Sequence, residues 1–87
     1  MTISKTIFDA IFPKKKYENI GMSKELKYEN IYGEKISIQI SFGNIFIYHS
    51  DIQDRPIEII EALTKYTFNE EEYNFIFKAI KKLIKKN

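Results

Sequence analysis

Apolar residues at helical spacing open the chain. They recur three or four positions apart and predict an amphipathic helix over residues 2–12: Ile3, Ile7, Phe8, Ile11 and Phe12. Pro13 follows at once, and because its ring cannot continue a helix, the helix is expected to end there. Residues 14–24 contain a lysine triplet and Gly21 without a sustained period, which is typical of a surface connection.

A strict alternation of apolar and polar residues marks the middle of the chain. The apolar positions are Ile36, Ile38, Ile40 and Phe42, and the polar positions between them are Ser37, Gln39 and Ser41. A period of two is the pattern of a β-strand with one buried face. Gly43-Asn44 separates this strand from a second apolar run over residues 45–48, which predicts a hairpin with a two-residue type II′ turn.

The predicted turn fixes a register for the hairpin. On the core side it pairs Phe42 with Ile45, Ile40 with Ile47 and Ile38 with His49. On the outer face it leaves the aromatic residues Phe46 and Tyr48.

An earlier strand is expected over residues 26–32, joined to the hairpin through Gly33-Glu34. Its register is open at this point. A two-residue loop places Leu26, Tyr28 and Tyr32 on the outer face, whereas one additional loop residue turns all three inward.

Helical spacing returns in the last third of the chain. Asp54 and Pro56 are start signals, and the stripe that follows predicts a helix over residues 55–66: Ile57, Ile60, Leu63 and Tyr66. A final helix is expected over residues 70–86, because Asn69 and Glu72 have the spacing of a capping box.

These elements combine into an α+β fold. The predicted order is α-β-β-β-α-α, in which a three-stranded antiparallel meander is flanked by helices. A chain of 87 residues is expected to build one core, so residues 1–87 are assigned to a single small domain.

Composition removes several classes of site. The absence of cysteine excludes disulfides, thiolate metal sites and cysteine nucleophiles, and a single histidine argues against a histidine-built metal centre. His49, Ser50 and Asp51 supply the residue types of a nucleophilic triad, but consecutive strand residues point to alternate faces. Because glycine-rich phosphate loops and paired catalytic carboxylates are also missing, we expect neither an enzyme nor a cofactor.

The sequence also bears on cellular location. No apolar run approaches the roughly 18–20 residues that a membrane-spanning helix needs, and the N-terminus lacks the basic and apolar pattern of a signal peptide. The expectation is a cytoplasmic protein without a membrane partner.

Lysines are concentrated in two places, although the formal net charge is only +2. On the predicted last helix they fall within one arc of about 140°: Lys78, Lys81, Lys82, Lys85 and Lys86. The second group is the triplet Lys14, Lys15 and Lys16. Such a ridge can contact phosphates, but a solvated helix face is the simpler interpretation. The shortage of arginine argues against a sequence-specific reader of nucleic acid.

Three further groups are candidate partner contacts. One is Phe75, which projects toward the lysine arc rather than the apolar arc of its helix. The others are the sheet aromatics Phe46, Tyr48, Tyr28 and Tyr32, and the acidic stretch Glu70, Glu71 and Glu72. Each group also has a structural interpretation, as packing under the first helix, as core or dimer contact, and as helix capping, respectively.

The element order, together with the acidic stretch Asn69-Glu70-Glu71-Glu72-Tyr73, resembles the small phage-encoded anti-CRISPR proteins that inhibit RNA-guided nucleases. The resemblance implies a non-enzymatic blocker that binds a host defence protein. It does not extend to DNA mimicry, because the members that mimic DNA are strongly acidic and this chain is slightly basic.

Three hypotheses about function follow. The first is a small protein-binding module, an inhibitor from a phage or mobile element that docks on a host protein through Phe75, the acidic stretch or the sheet aromatics. The second is a nucleic-acid-binding accessory protein that uses the lysine ridge. The third is a structural or homodimeric module in which the outer sheet face forms the dimer contact.

Overall fold

The computed structural model of the chain describes residues 3–85, in which one antiparallel sheet carries three α-helices. The strands follow the order β1-β2-β3-β4 across the sheet: β1 is Leu26–Glu29, β2 is Lys35–Ser41, β3 is Asn44–His49 and β4 is Ile57–Glu58. The helices are α1 (Lys5–Ile11), α2 (Ile59–Lys65) and α3 (Glu70–Lys85), and a short 3₁₀ turn spans Lys14–Lys16. The predicted α+β class is confirmed.

The prediction of three strands is wrong, because the sheet has a fourth. Ile57 pairs with Ile47, and Glu58 pairs with Phe46, at the edge of the sheet. These two residues were expected inside the second helix, which therefore begins at Ile59 rather than at residue 55. The order becomes α-β-β-β-β-α-α, so the layout on which the resemblance to anti-CRISPR proteins rested is matched only in part.

The hairpin between β2 and β3 turns one residue earlier than predicted. Its central residues are Phe42 and Gly43, with φ of 50° and 76°, as a type I′ turn requires. The pairs are therefore Ile40 with Ile45, Ile38 with Ile47 and Ile36 with His49. The predicted register is wrong by two residues, but a slip of two leaves the paired side chains of both strands on their predicted faces. Phe42 is the exception, because it was expected on the core side and instead lies in the turn, 79% exposed.

Contacts from a distant loop hold this turn in place. The Phe42 N–H donates to Gly21 O (2.6 Å), and the Gly43 N–H donates to Ile20 O (2.9 Å). A Cβ atom on Gly43 would lie 2.7 Å from the carbonyl oxygen of Glu18, so only glycine fits. A bulky residue with positive φ is uncommon, and at Phe42 the two hydrogen bonds to the loop offset that strain.

The register of β1 is neither of the two that the sequence left open, because residues 30–34 form a five-residue loop, but its inward orientation is that of the second alternative. Leu26 pairs with Ile38, and Tyr28 pairs with Ile36, so both side chains lie on the core face of the sheet. The strand ends at Glu29 because residues 30–34 form a longer loop than expected. Tyr32 lies in this loop and on neither face of the sheet.

The core lies between the sheet and the helices. Its fully buried side chains come from the sheet and from all three helices: Phe8, Ile36, Ile38, Ile40, Ile47, Leu63, Ile76, Ile80 and Leu83. Helix α3 packs against β1 and β2, while α2 packs against β3 and β4. Each such side chain contributes about 1.5–3 kcal/mol by leaving water, which makes this face of the sheet the main source of stability.

Helix α1 joins the same core. The Ser4 hydroxyl accepts from the Ile7 N–H (3.2 Å), so the helix begins at Lys5 rather than at residue 2. The Phe12 ring stacks on Phe77 of α3 at 5.9 Å between centroids. Among residues 3–85, no helix is long and apolar enough to cross a membrane.

Candidate functional site

The three triad residue types do not form a catalytic relay. His49 Nε2 lies 2.7 Å from Glu72 Oε2, and His49 Nδ1 accepts from the Asp51 N–H (3.2 Å). With Nδ1 accepting, Nε2 is the ring nitrogen that donates to Glu72. The Ser50 hydroxyl accepts instead from the Lys35 N–H (2.9 Å), so Ser50 is engaged with the backbone of β2 rather than with His49.

Glu72 belongs to the capping box that the sequence predicts, and that prediction is confirmed. The Asn69 Oδ1 accepts from the Glu72 N–H (2.8 Å), and Glu72 Oε1 accepts from the Asn69 N–H (2.9 Å). With His49 on its other oxygen, Glu72 is 7% exposed. Both carboxylate oxygens are therefore engaged within the fold, which favours the helix-capping interpretation of Glu72 over a contact with a partner.

Tyr28, Phe75 and Glu71 form one internal contact between β1 and α3. The Tyr28 and Phe75 rings stack at 5.3 Å, and the Tyr28 hydroxyl donates to Glu71 Oε2 (3.0 Å). The hydrogen bond to the Glu71 carboxylate raises the pKa of Tyr28. Phe75 thus packs against β1 rather than under the first helix, and three predicted partner contacts satisfy one another.

The remaining predicted partner residues are dispersed. Phe46 and Tyr48 lie half-buried on the sheet face opposite the helices, without Tyr28 or Tyr32 beside them. Glu70 is exposed in the first turn of α3. The residues of the predicted aromatic and acidic surfaces are thus divided between the interior, the contact of β1 with α3, the exposed first turn of α3, the open sheet face and a loop.

The two lysine groups, in contrast, meet. Four lysines of α3 and Lys16 of the 3₁₀ turn surround one groove of about 540 Å³: Lys16, Lys78, Lys81, Lys82 and Lys85. Its floor is apolar and consists of Ile11, Phe12 and Ile84. Lys86 lies outside the described residues. The predicted ridge is therefore the wall of a groove between the end of α1 and the second half of α3.

Local structure explains why Lys16 reaches α3. Phe12 is buried against Phe77, which holds the end of α1 beside α3. Pro13 then starts the 3₁₀ turn, in which the Lys16 N–H donates to Pro13 O (2.9 Å). This tight turn brings Lys16 back next to Ile84.

The other two lysines of the triplet point elsewhere. Lys14 Nζ donates to Asn44 Oδ1 (3.2 Å) and lies 5.7 Å from the centre of the Tyr17 ring, so it faces the sheet. Lys15 lines a smaller depression, of about 330 Å³, beside Ile20, and this depression shares Lys16 with the groove. Of the triplet, Lys16 is the groove residue, and Lys15 extends the positive charge along its side.

The groove is electrostatically uniform. No acidic residue lines it, and in the described part of the chain none of its five lysines has a carboxylate within 4.0 Å. Lys78 and Lys85 are seven residues apart, which on a helix is about 10 Å along the axis. Ammonium groups gathered over this distance repel one another, so an anionic ligand would relieve an unfavourable arrangement.

Exposed aliphatic residues continue the groove along α1. Ile7 is 53% exposed and Ile11 is 43% exposed, one helical turn apart. Sequence reasoning placed both in the buried stripe with Phe8 and Phe12. Helix α1 carries two apolar stripes and can bury only one, and the larger aromatic pair occupies the core. In the sequence, the apolar residues of α1 cover an arc too wide for one buried face, and this width could have indicated the exposed stripe.

Other site chemistry is not apparent. Among residues 3–85, no group of three histidine, aspartate or glutamate side chains is arranged to hold a metal ion. Comparison with protein-family models found no match, and comparisons with curated proteins and with solved structures found no significant similarity. Function is therefore inferred from the surface chemistry of the chain itself.

Proposed function

We propose that this protein is a small, non-enzymatic binding module whose partner is an acidic protein segment with exposed apolar side chains. The observation that carries the proposal is the groove itself, in which five lysines from two elements surround a floor of Ile11, Phe12 and Ile84. Acidic side chains of the ligand would lie against the lysines, while apolar ones would cover the floor.

The floor favours a protein ligand over nucleic acid. Isoleucine side chains offer neither a stacking platform for bases nor a hydrogen bond to a phosphate. The Phe12 ring is buried against Phe77 and has little face left for a base. An apolar floor with charged walls is instead typical of grooves that accept amphipathic peptide segments.

Nucleic-acid binding is the second candidate, and the gathering of five lysines from two elements favours it. In that case the phosphate backbone would follow the row from Lys78 to Lys85. Its affinity would fall by decades between about 50 and 200 mM salt, because neutralising several phosphates releases counterions.

Two peptides and an oligonucleotide distinguish these candidates. The first peptide combines aspartate and glutamate with leucine, and the second has the same charge with serine in place of leucine. We expect the first to bind more tightly, because the floor contributes only when apolar side chains cover it. Binding of both peptides with equal affinity, or tighter and steeply salt-dependent binding of the oligonucleotide, would contradict the proposal.

Variants assign the binding to the groove. The double substitution Lys81→Glu and Lys82→Glu is expected to weaken binding of the first peptide about tenfold or more. Ile11→Ser is expected to weaken the first peptide and leave the second unchanged. Lys24→Glu, an exposed lysine outside the groove, is the matched control and is expected to bind both like the unmodified chain.

The identity of a natural partner is a separate matter. The hypothesis that the partner is a host defence protein comes from the resemblance to anti-CRISPR proteins and stays a prediction. Purification of tagged protein from host cells, with and without nuclease, would test it. A stoichiometric partner retained after nuclease and lost with Lys81→Glu and Lys82→Glu would support it, whereas a partner retained by that variant would place the contact elsewhere.

A further inference from the structure

The loop between β1 and β2 presents two apolar side chains to solvent. Ile31 is 91% exposed and Tyr32 is 80% exposed. We call residues 30–34, with these two side chains at the apex, the tip. Apolar residues this exposed contribute nothing to the core, so the fold gives no reason for them.

The tip is held in one conformation by Asn30. Its Oδ1 accepts from the N–H groups of Tyr32 and Glu34, both at 2.9 Å. Its Nδ2 donates to Glu34 Oε1 (2.8 Å), and its own N–H donates to Glu34 O (2.9 Å). A ligand that binds Ile31 and Tyr32 would therefore meet a loop whose backbone is already hydrogen-bonded, which lowers the entropy cost of ordering that backbone.

This end of the molecule is acidic. Glu29 and Glu34 flank the tip, and Glu29 pairs across the sheet with Lys35. Asp51 comes directly after Ser50, whose hydroxyl accepts from the Lys35 N–H. Glu71 accepts a hydrogen bond from the Tyr28 hydroxyl. Residues 29–35 thus carry two carboxylates and one lysine, and Asp51 and Glu71 add two carboxylates on the elements bonded to this end. The loop is a net acidic segment with an apolar apex.

The basic groove lies at the other end of α3. Glu71 is in the first turn of this helix, and the groove lysines are in its second half. A helix of 16 residues is about 24 Å long, and the whole molecule extends 35 Å along its longest axis. One copy of the protein therefore carries the two complementary surfaces at opposite ends.

We propose that the tip of one copy docks in the groove of a second copy. Ile31 and Tyr32 would cover the floor at Ile11 and Ile84, and the carboxylates beside the tip would face the lysine walls. The inference rests on the proposed function, since it names this chain's own tip as one acidic, apolar segment that the groove accepts. Because different surfaces meet, the contact is heterologous and repeats from copy to copy in a head-to-tail chain.

The contact is small, and association is expected to be weak. Two apolar anchors and a charged rim place it at the low end of specific interfaces, below about 1,200 Å² of buried surface. The protein is thus expected to be a monomer when dilute and to form a series of oligomers as its concentration rises. Added salt should shift the series back toward monomer, because it screens the rim charges.

Sedimentation velocity over a concentration series tests the proposal. The unmodified chain is expected to sediment faster as concentration rises. A tip variant, Ile31→Ser with Tyr32→Ser, and a groove variant, Lys81→Glu with Lys82→Glu, should each stay monomeric. All four positions are exposed, so both variants should fold. Met22→Ser, at a 63% exposed position outside both surfaces, is a control for loss of an exposed apolar side chain elsewhere.

Mixing the two variants gives the decisive result. Each lacks a different surface, so an intact groove on the tip variant can accept the intact tip of the groove variant. We expect a one-to-one dimer that grows no further. A mixture that stays monomeric, a tip variant that still self-associates, or an unmodified chain that is monomeric at millimolar concentration would each overturn the proposal.

The peptide measurements separate this inference from the proposed function. A chain that stays monomeric but binds the acidic, leucine-containing peptide retains the function and excludes self-docking. A chain that assembles through tip and groove but binds no such peptide supports self-docking and contradicts the broader function.

Discussion

At the scale of single residues, the length of one loop decides whether a tyrosine packs against the fold or projects into solvent. The sequence suggests Tyr28 as a contact for a partner, yet its hydroxyl donates to Glu71 and its ring stacks on Phe75. Tyr32, four residues later, makes neither contact and is exposed. The difference comes from the loop after Glu29, which leaves Tyr28 on the core face and takes Tyr32 out of the strand.

The pKa of Tyr28 reports this contact. Its hydrogen bond to the Glu71 carboxylate raises the pKa above the ordinary value of 10.0, because ionising the phenol would remove the donor and place two anions together. Glu71→Gln is expected to lower the pKa of Tyr28. Ultraviolet absorbance titration of the tyrosines measures it, and Tyr28→Phe identifies the signal. An unchanged titration in Glu71→Gln would show that the contact does not form.

The contact between Tyr28 and Glu71 also makes the free energy of unfolding depend on pH. A pKa raised in the folded state means that the folded protein holds the phenol proton more tightly than the unfolded chain does. The stabilisation from Tyr28 and Glu71 is therefore complete below pH 10.0 and is lost as the pH rises through the folded-state pKa. The stability difference between the unmodified chain and Glu71→Gln should shrink over that window in denaturant unfolding.

At the scale of elements, α3 begins where a local motif and a distant strand meet. The capping box satisfies the Glu72 N–H in the first turn of the helix and the N–H of Asn69 just before it, as the sequence alone predicts. His49 of β3 bonds the second oxygen of Glu72, so the start of the helix is also fixed to the sheet. One carboxylate therefore sets both where α3 begins and where it sits.

Glu72→Gln tests this double role. Glutamine keeps the shape of the side chain but replaces one acceptor with an NH₂ donor, which would face the N–H of Asn69 or His49 Nε2–H. A buried donor left without an acceptor costs about 1–3 kcal/mol, and we expect a loss of that size in the free energy of unfolding. Glu70→Gln, exposed in the same turn, is the control and should cost about 0.5 kcal/mol or less.

Denaturant unfolding measures both losses, and the dependence of the free energy of unfolding on denaturant concentration should be the same in all variants. Equal losses for Glu70→Gln and Glu72→Gln would show that only the charge at the helix start matters. In that case the contact with His49 would contribute nothing to stability.

The β2–β3 turn is the element that depends most on its surroundings. Gly43 combines positive φ with a close carbonyl, Gly33 has positive φ in open space, and Gly21 has neither. Alanine at Gly21 is expected to be neutral or slightly stabilising. Alanine at Gly33 should cost about 1–2 kcal/mol through backbone strain, and alanine at Gly43 should cost more because it also collides with Glu18. Thermal unfolding of the three variants checks this order, and equal losses at Gly33 and Gly43 would remove the role of Glu18.

At the scale of the whole molecule, the helices cover one face of the sheet and charge is separated along α3. The buried side chains of α1, the sheet, α2 and α3 form one cluster. The acidic end carries the tip, and the basic end carries the groove. The groove exists only because α1 packs against the same core as α3, so the candidate site depends on the integrity of that packing.

Phe8 measures how firmly α1 belongs to the core. It is fully buried, so Phe8→Ala is expected to cost about 3–5 kcal/mol and to leave a single cooperative transition. Ile7→Ala, its exposed neighbour, should change the free energy of unfolding by no more than about 0.5 kcal/mol. Calorimetry measures both, and a second transition or a small effect of Phe8→Ala would show that α1 docks independently.

Local pattern determined much of this protein. The alternation over residues 36–41 fixed which side chains face the core, and the spacing of Asn69 and Glu72 fixed the start of α3. The helical period also placed four of the groove lysines on one side of α3. Strand alternation, helix period and capping each depend on residues a few positions apart, so these features can be predicted from the sequence alone.

Tertiary structure decided the rest. The turn at Phe42-Gly43 depends on a loop some twenty residues earlier, and the fourth strand exists because Ile57 finds an open edge beside Ile47. The groove needs Lys16 and α3, which are distant in the chain and meet only when Phe12 packs on Phe77. Such contacts join elements that are far apart in the chain. Which of them form depends on how the helices and strands pack together, and local sequence pattern does not contain that information.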